Sequence, residues 1–445
     1  MDHNFYKKVF ALVLPMAIQN LINVGVMAAD VIMLGRVGET VLSGASLGGQ
    51  AYFILSLILF GTTSGASVLI AQYWGKQDLV AIEKIIGIAM QFAMVLSVVF
   101  AIVTFMIPEL IMSIFSSEPE VIAEGVKYLR IIAITYPISS FTMVYLNLIK
   151  SIEKVIVSTI VYACSLMVNI AANAVLIFGL FGFPAMGIRG AAIGTLIARI
   201  VEILIALIYA HFVNKTVKVR VAYCLKPDPV FLKDFFHYSG PVIVNELFWG
   251  VGYSANAAIV GHLGSSAVAA NSVAHVTRQL ATVIVFGIGN ATAIMLGKAI
   301  GEKKEALAEE YSRKFIKLAL IFGAIGGIII LLVRPFIIKG LDFSGTTADY
   351  MNSFMFMMSY YVIGQALNTV CIVGIFRAGG DTKFGLVIDI VSMWFGSILI
   401  GYLAAFVFKL PVKVVYFILL SDELIKIPLS LWRYRQKKWL KNVTR

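Results

Sequence analysis

Two carboxylates lie inside apolar stretches with no basic residue a helical turn away: Asp30, about four turns after Pro15, and Glu246, shortly after Pro241. An ionisable group in hydrocarbon costs at least ~2.5 kcal/mol. Each acid is therefore a candidate for binding a cation, with protonation or ion binding neutralising it and changing which conformation is preferred. The alternative use of each is a hydrogen bond between helices. Asn169 and Asn173 fall one turn apart on one helical face, where their amides suit either a cation or a neighbouring helix. Thr195 follows Gly190-Ala-Ala-Ile-Gly194, a small-residue run that suits close backbone approach. Asp389 is a further acid with no base nearby in sequence, ranked behind the first two. Arg199 and Glu202, and Asp422 and Lys426 beside Glu423, are spaced to pair on their own helices. His275 and Arg278 read as a hydrogen-bonded structural pair.

The elements that carry these residues are set by composition. Of 445 residues, 60% are hydrophobic and 13% charged, about half the charge of a soluble domain. Stretches such as 85–108, 155–180, 315–333 and 384–408 are long enough to cross a ~30 Å hydrocarbon core as helices. The chain reads as an all-α membrane protein of about twelve spans. The net charge of +12 is spread over alternate loops, at Lys76, Lys84, Lys150, Lys154, Lys215 to Lys233, Lys298 to Lys314 and the basic end of the chain, while 109–124 is acidic. The positive-inside rule then puts both termini in the cytoplasm of a cell inner (plasma) membrane protein. Bases dispersed in this way do not make a nucleic-acid-binding module. Met1 to Lys8 reads as a retained tail and not a cleaved signal.

The chain is also a duplicate of itself. At an offset of 226, Pro15 falls on Pro241, Gly35 on Gly261, Gly38 on Gly264, Gly61 on Gly287 and Gly75 on Gly301. These residues dictate backbone geometry, so their coincidence means two copies of one fold. Six spans per copy give both halves one orientation. The expected organisation is an amino-terminal lobe over 1–213, a cytoplasmic linker over 214–232 with a short interfacial turn near 230–236, and a carboxy-terminal lobe over 233–445.

There is no His-Glu-x-x-His, Asp-rich pair or Walker loop, which argues against an enzyme or an ATP-driven pump. The glycine-rich piece Gly44 to Gly49, which includes Gly44-Ala-Ser-Leu-Gly48, suits a helix-contact surface. Cys164, Cys224 and Cys371 have neither disulfide nor metal-ligand spacing. No cofactor is expected.

Four segments in this order resemble the multidrug and toxic compound extrusion (MATE) family: Pro15 to Gly38 through Ala-Asp30-Val-Ile-Met-Leu-Gly, Gly-Pro241-Val-Ile-Val-Asn-Glu246, the glycine pattern of 287–301, and Arg377-Ala-Gly-Gly-Asp381-Thr. The resemblance covers nearly the whole chain. It implies a V-shaped pair of six-helix lobes related by a pseudo-two-fold that expels amphipathic drugs, often organic cations, in exchange for protons or sodium. Asp30, Asn169, Asn173 and Thr195 match an amino-lobe cation site in that family, with sodium possible at Asp30. Some relatives have a second acid at the position of Asn173, so sodium would have fewer charged ligands here. Glu246 and Asp381 match a carboxy-lobe cation site of other branches, although Asp381 beside Arg377 also suits a turn or salt bridge. Pro15 and Pro241 are the expected hinges. The first half lacks the loop motif, having Lys150-Ser-Ile-Glu153-Lys154 instead. The rivals are a flippase of lipid or lipid-linked oligosaccharide and a membrane-embedded enzyme.

Overall fold

A computed structural model gives the backbone of residues 2–341 and 345–445, with side chains from 4 to 340 and from 345 on. Every regular element among these residues is helical: α1 Asp2–Val37, α2 Glu39–Lys76, α3 Leu79–Met106, α4 Pro108–Phe115, α5 Pro119–Ile132, α6 Thr135–Lys150, α7 Val155–Phe178, α8 Ile188–Ile208, α9 Val221–Leu225, α10 Pro229–His262, α11 Ser265–Gly301, α12 Glu305–Leu341, α13 Gly345–Thr369, α14 Thr382–Ile390, α15 Leu399–Tyr402, α16 Val412–Leu419 and α17 Ser421–Arg435. Of the expected tail, Met1 lies outside the described residues and Asp2–Lys8 is the opening of α1. The turn expected near 230–236 is instead the start of α10, which runs on through Pro241. Pro229 at its first position gives up no helical hydrogen bond, so the helix starts there freely.

The duplication is visible in the element boundaries. α2 and α11 begin at Glu39 and Ser265, α3 and α12 at Leu79 and Glu305, and α5 and α13 at Pro119 and Gly345. Each pair is 226 residues apart. Among the described residues nine helices are long and apolar enough to cross a membrane, and a tenth if α5 and α6, bent by 56°, are one span. The two spans that fall short are α10 and the pair α16 and α17. They are the copies of α1 and α8, and α17 carries Asp422, Glu423 and Lys426, which lower its hydropathy. Counted with these two by their correspondence to α1 and α8, the described residues are consistent with six spans per copy.

The copies differ in this region. In the first, the chain turns sharply between α5 and α6; in the second, the equivalent positions 359–360 lie inside unbroken α13, which runs on into a π-helical stretch, Val370–Phe376, that leads to Arg377. Two more π-helical stretches, Val391–Ile398 and Leu403–Val407, follow α14. Such widened turns shift side chains round the helix and recur at functional sites.

The chain divides into two compact units. The first comprises Met1–Ala17, Ser67–Gln77 and Tyr238–Arg445; the second comprises Ile18–Ala66 and Asp78–His237. Two of the four boundaries fall inside α1, just after Pro15, and inside α10, just before Pro241; the others lie inside α2 and between α2 and α3. The core of the first unit gathers Ile259, Ala270, Ile330, Phe354, Met358, Val415 and Tyr416, with the Phe354 and Tyr416 rings stacked 3.6 Å apart. A smaller cluster in the second unit joins Leu34, Ala45, Ile177, Ile188 and Ala191. Large apolar side chains also face outward, among them Leu14, Val95, Ile102, Met106 and Ile160, as lipid contact requires.

Within the first unit, the ends of α2 and α11 cross at equivalent glycines. A Cβ on Gly75 would lie 2.1 Å from the Lys298 carbonyl oxygen, and one on Gly301 would lie 1.9 Å from that of Gln72. No side chain fits such a crossing. In the second unit, 214–228 is laid along α3: Glu83 accepts from the Lys218 amide at 3.0 Å and pairs with Arg220, Lys84 meets Asp228 at 2.9 Å, and Gly87 admits the Tyr223 backbone. The Lys84 ammonium and the Val230 amide, hydrogen-bonded to Asp228, hold its carboxyl below the usual carboxylate range.

Gly301→Ala forces this crossing apart and should destabilise the protein by about 1–3 kcal/mol. Gly261→Ala, whose Cβ meets nothing within 4 Å, should stay within about 0.5 kcal/mol of wild type. Thermal unfolding of the purified proteins, followed by size-exclusion fluorescence, separates the two; equal melting temperatures would contradict the crossing.

Candidate cation sites in the two units

In the second unit, α7 and α8 approach so closely that glycine is required at two levels of α8. A Cβ on Gly190 would sit 2.5 Å from the Leu176 carbonyl oxygen, and one on Gly194 would sit 2.1 Å from Asn173 Oδ1. The space left open at Gly194 is where the Asn173 amide lies. From there Asn173 Nδ2 donates to Asp30 Oδ1 at 2.6 Å and more weakly to Asn169 Oδ1 at 3.3 Å. Asn169 Nδ2 in turn donates to Thr195 Oγ1 at 3.4 Å. All four residues expected at the amino-lobe site are thereby joined, from α1, α7 and α8. The Gly190 to Gly194 run does serve helix packing, and the packing positions the site.

Asp30 has no basic group within ion-pair distance among the described residues; the nearby Arg199 is paired with buried Glu202 at 2.6 Å, as their spacing predicts. Asn173 Oδ1 is buried and accepts no hydrogen bond. One carboxylate, amide oxygens and a hydroxyl form a hard, singly charged oxygen set, which suits a proton or a sodium ion better than a divalent or soft metal. Among the described residues no group of three or more His, Cys, Asp or Glu is arranged to hold a metal ion.

The first unit treats its acids differently. Glu246 on α10 receives Arg377 Nη2 at 2.9 Å, with side-chain exposures of 13% and 6%. Asp381 receives Arg433 in a two-point contact, Nε at 2.7 Å and Nη2 at 2.9 Å. Glu246 and Asp381 therefore each face their own guanidinium. The loop from Arg377 to Asp381 holds the stretch after α17: Gly380 turns at φ 75°, and a Cβ on Gly379 would collide with the Trp439 backbone. Gln72 completes the hold through the carbonyls of Ala378 and Lys441, at 2.7 and 2.9 Å, and the Val443 amide, at 2.7 Å.

Sequence reasoning kept Lys426 with Asp422, but the structure also sets it against Asp389 at 3.2 Å and Glu423 at 3.4 Å. Asn245 Nδ2 donates to Asp389 at 2.8 Å, and Asn368 Nδ2 to Glu423 at 2.7 Å. Neither amide was singled out from sequence; Asn245, next to Glu246 in an apolar stretch, carried the available signal. His275 accepts from or donates to Tyr253 at 3.0 Å and touches Arg278 at 3.1 Å, and the Arg278 guanidinium lies over the Tyr361 ring. An apolar cleft of about 260 Å³ between α11 and α12, lined by Leu280, Ile284, Phe322 and Ile329, shares no residue with any charged group above.

A duplicated six-span membrane fold with buried, oxygen-lined acids defines a transporter. The chain belongs to the MatE family of membrane transporters, whose model matches it twice, over residues 15–175 and 241–403. The two matches start at Pro15 and Pro241, the offset of the internal repeat. Relatives include the probable multidrug resistance protein NorM of Thermotoga maritima, 24% identical over 98% of this chain and 93% of that protein. The probable multidrug resistance protein YoeA of Bacillus subtilis is 25% identical over 89% of this chain and 86% of the relative. A solved structure described as the outward-facing conformation of a multidrug resistance MATE family transporter superposes with a TM-score of 0.87 at 18% identity, covering 98% of this chain and 96% of that one. A transporter from Pyrococcus furiosus matches with the same score, identity and coverage. These two likenesses show the fold.

Glu246→Gln leaves the Arg377 charge in place and removes its carboxylate, so it should cost about 3 kcal/mol. The double variant Glu246→Gln, Arg377→Met should recover most of that loss. Melting temperatures of the wild type, Glu246→Gln and the double variant measure the recovery; a double variant no more stable than Glu246→Gln would contradict the pairing.

Proposed function

We propose that the protein is a secondary active exporter of small amphipathic molecules, often cationic, driven by inward movement of a proton or sodium ion through Asp30. One observation carries the assignment. Asp30 is the acid of the expected set that is answered by an amide and not by a base, whereas Glu246 and Asp381 face arginines. An amide dipole compensates the carboxylate only in part, so a cation arriving from outside gains by binding there. The names of the relatives supply the drug class. The loops rich in bases put both termini and residues 214–232 in the cytoplasm of a cell inner membrane protein, with lobes over 1–213 and 233–445.

In this mechanism the cation neutralises Asp30 and relieves a cost of at least ~2.5 kcal/mol, worth roughly sixtyfold in a conformational equilibrium. Neutralisation also strips the charge from the bond that ties α1 to Asn173 on α7. The part of α1 beyond Pro15 can then rearrange, since proline has already removed one helical hydrogen bond there, and the drug is released. Loss of the cation to the cytoplasm restores the anion, which again favours a cationic substrate.

Dye efflux from proteoliposomes, driven first by an imposed pH gradient and then by an imposed sodium gradient, tests the proposal. One of the two gradients should drive export by the wild type. Asp30→Asn should fall to the rate of protein-free liposomes while inserting normally. Full gradient-driven efflux by that variant would contradict the assignment, and drug-independent movement of labelled lipid would favour a flippase.

A further inference from the structure

The first unit holds a group of charges that does not balance. Lys426 Nζ lies 3.2 Å from Asp389, 3.1 Å from Asp422 and 3.4 Å from Glu423, and its side chain is 5% exposed. The three carboxylates are 18%, 10% and 11% exposed. Sharing one nitrogen, their contacting oxygens lie within about 7 Å of one another, close enough for like charges to oppose ionisation. The groups facing them from every packed element do not make up the deficit. α10 offers neutral Asn245 and Glu246, the latter held by Arg377. α13 offers Asn368 and Tyr361. α11 offers Arg278, which lies over the Tyr361 ring and forms no ion pair with a carboxylate among the described residues. Even with Arg278 counted, three acids meet two bases, and the group is one positive charge short.

Two amides aimed into the group are short of the same thing. Asn245 and Asn368, 6% and 2% exposed, each turn Nδ2 toward a carboxylate, and each leaves its buried Oδ1 without a donor. Turning either amide over would instead set two acceptors face to face. In both orientations a hydrogen is missing. The Lys426 ammonium already fills the place a metal ion would take.

We propose that Asp389, Asp422 and Glu423, gathered round Lys426, form a second ion site that binds one exchangeable proton. The proton comes from water, forms an O–H bond with one carboxylate oxygen, and returns to water when that bond breaks; no other bond changes. The site deepens the ion-coupled reading given above, and it shares no residue with Asp30.

Infrared difference spectra of the purified full-length protein in lipid nanodiscs, recorded as the pH is raised from about 5 to about 10, read the proton directly through its carboxylic-acid carbonyl band, identified by its shift in heavy water. The Asp30→Asn protein, which has lost the first site's own carboxyl, should still lose such a band. Glu423→Gln and Asp389→Asn, each added to Asp30→Asn, leave two acids beside Lys426, so each double variant should lack it. Lys426→Met in the same background removes a positive charge and should enlarge it. A band that persists in both double variants would overturn the second site. A wild type that shows the band and an Asp30→Asn protein that does not would likewise overturn it while leaving Asp30 as the coupling acid.

Discussion

A charge held inside a membrane has to be answered by an opposite charge, an oriented dipole or a proton, because water is not there to do it. This protein uses different answers in different places, and its functional anatomy follows from them. Glu246 has a guanidinium at 2.9 Å and Asp381 a two-point one. Asp30 has the Asn173 amide at 2.6 Å, the weakest compensation of the three and the easiest for an arriving cation to improve upon. The availability of Asp30 depends in turn on Gly194, whose missing side chain is the space the Asn173 amide occupies. A backbone packing requirement between α7 and α8 therefore decides which group answers Asp30.

The repeat gives the frame in which these answers differ. Helix starts recur at 226 residues, and the equivalent glycines 75 and 301 meet at one crossing. The loop motif after the tenth span, which is not repeated in sequence, does repeat as a job. In the second copy, Arg377 to Asp381 grips Arg433 and the Trp439 backbone. In the first copy, Lys154 reaches Asn214 at 3.2 Å and Thr216 at 2.9 Å. Shifted by 226, those two residues fall on the terminal stretch that follows Trp439. The connection between the copies and the end of the chain are one structural element put to two uses.

Much of this was legible beforehand. The prolines, the glycine register, the span count and the shared face of Asn169 and Asn173 rest on local spacing or on residue types with few alternatives, and sequence preserves both; that Thr195 joins them was implied by the family resemblance alone. The arginine opposite Glu246 and the lysine opposite Asp389 were not legible, because partners 131 and 37 positions apart are chosen by which helix faces meet. The π-helical turns that rotate Arg377 into place leave no compositional mark. For the same reason Lys426 was assigned to Asp422 alone, since the i, i+4 rule sees only one helix.

Under the proposed function, drug and cation compete through Asp30. The most direct measurement is the count of protons exchanged when a cationic drug binds the purified protein in weakly buffered solution, with and without sodium. Drug binding to the wild type should release a proton, or displace sodium when sodium is present, and Asp30→Asn should bind the drug with neither effect. The same release from wild type and Asp30→Asn would contradict the account.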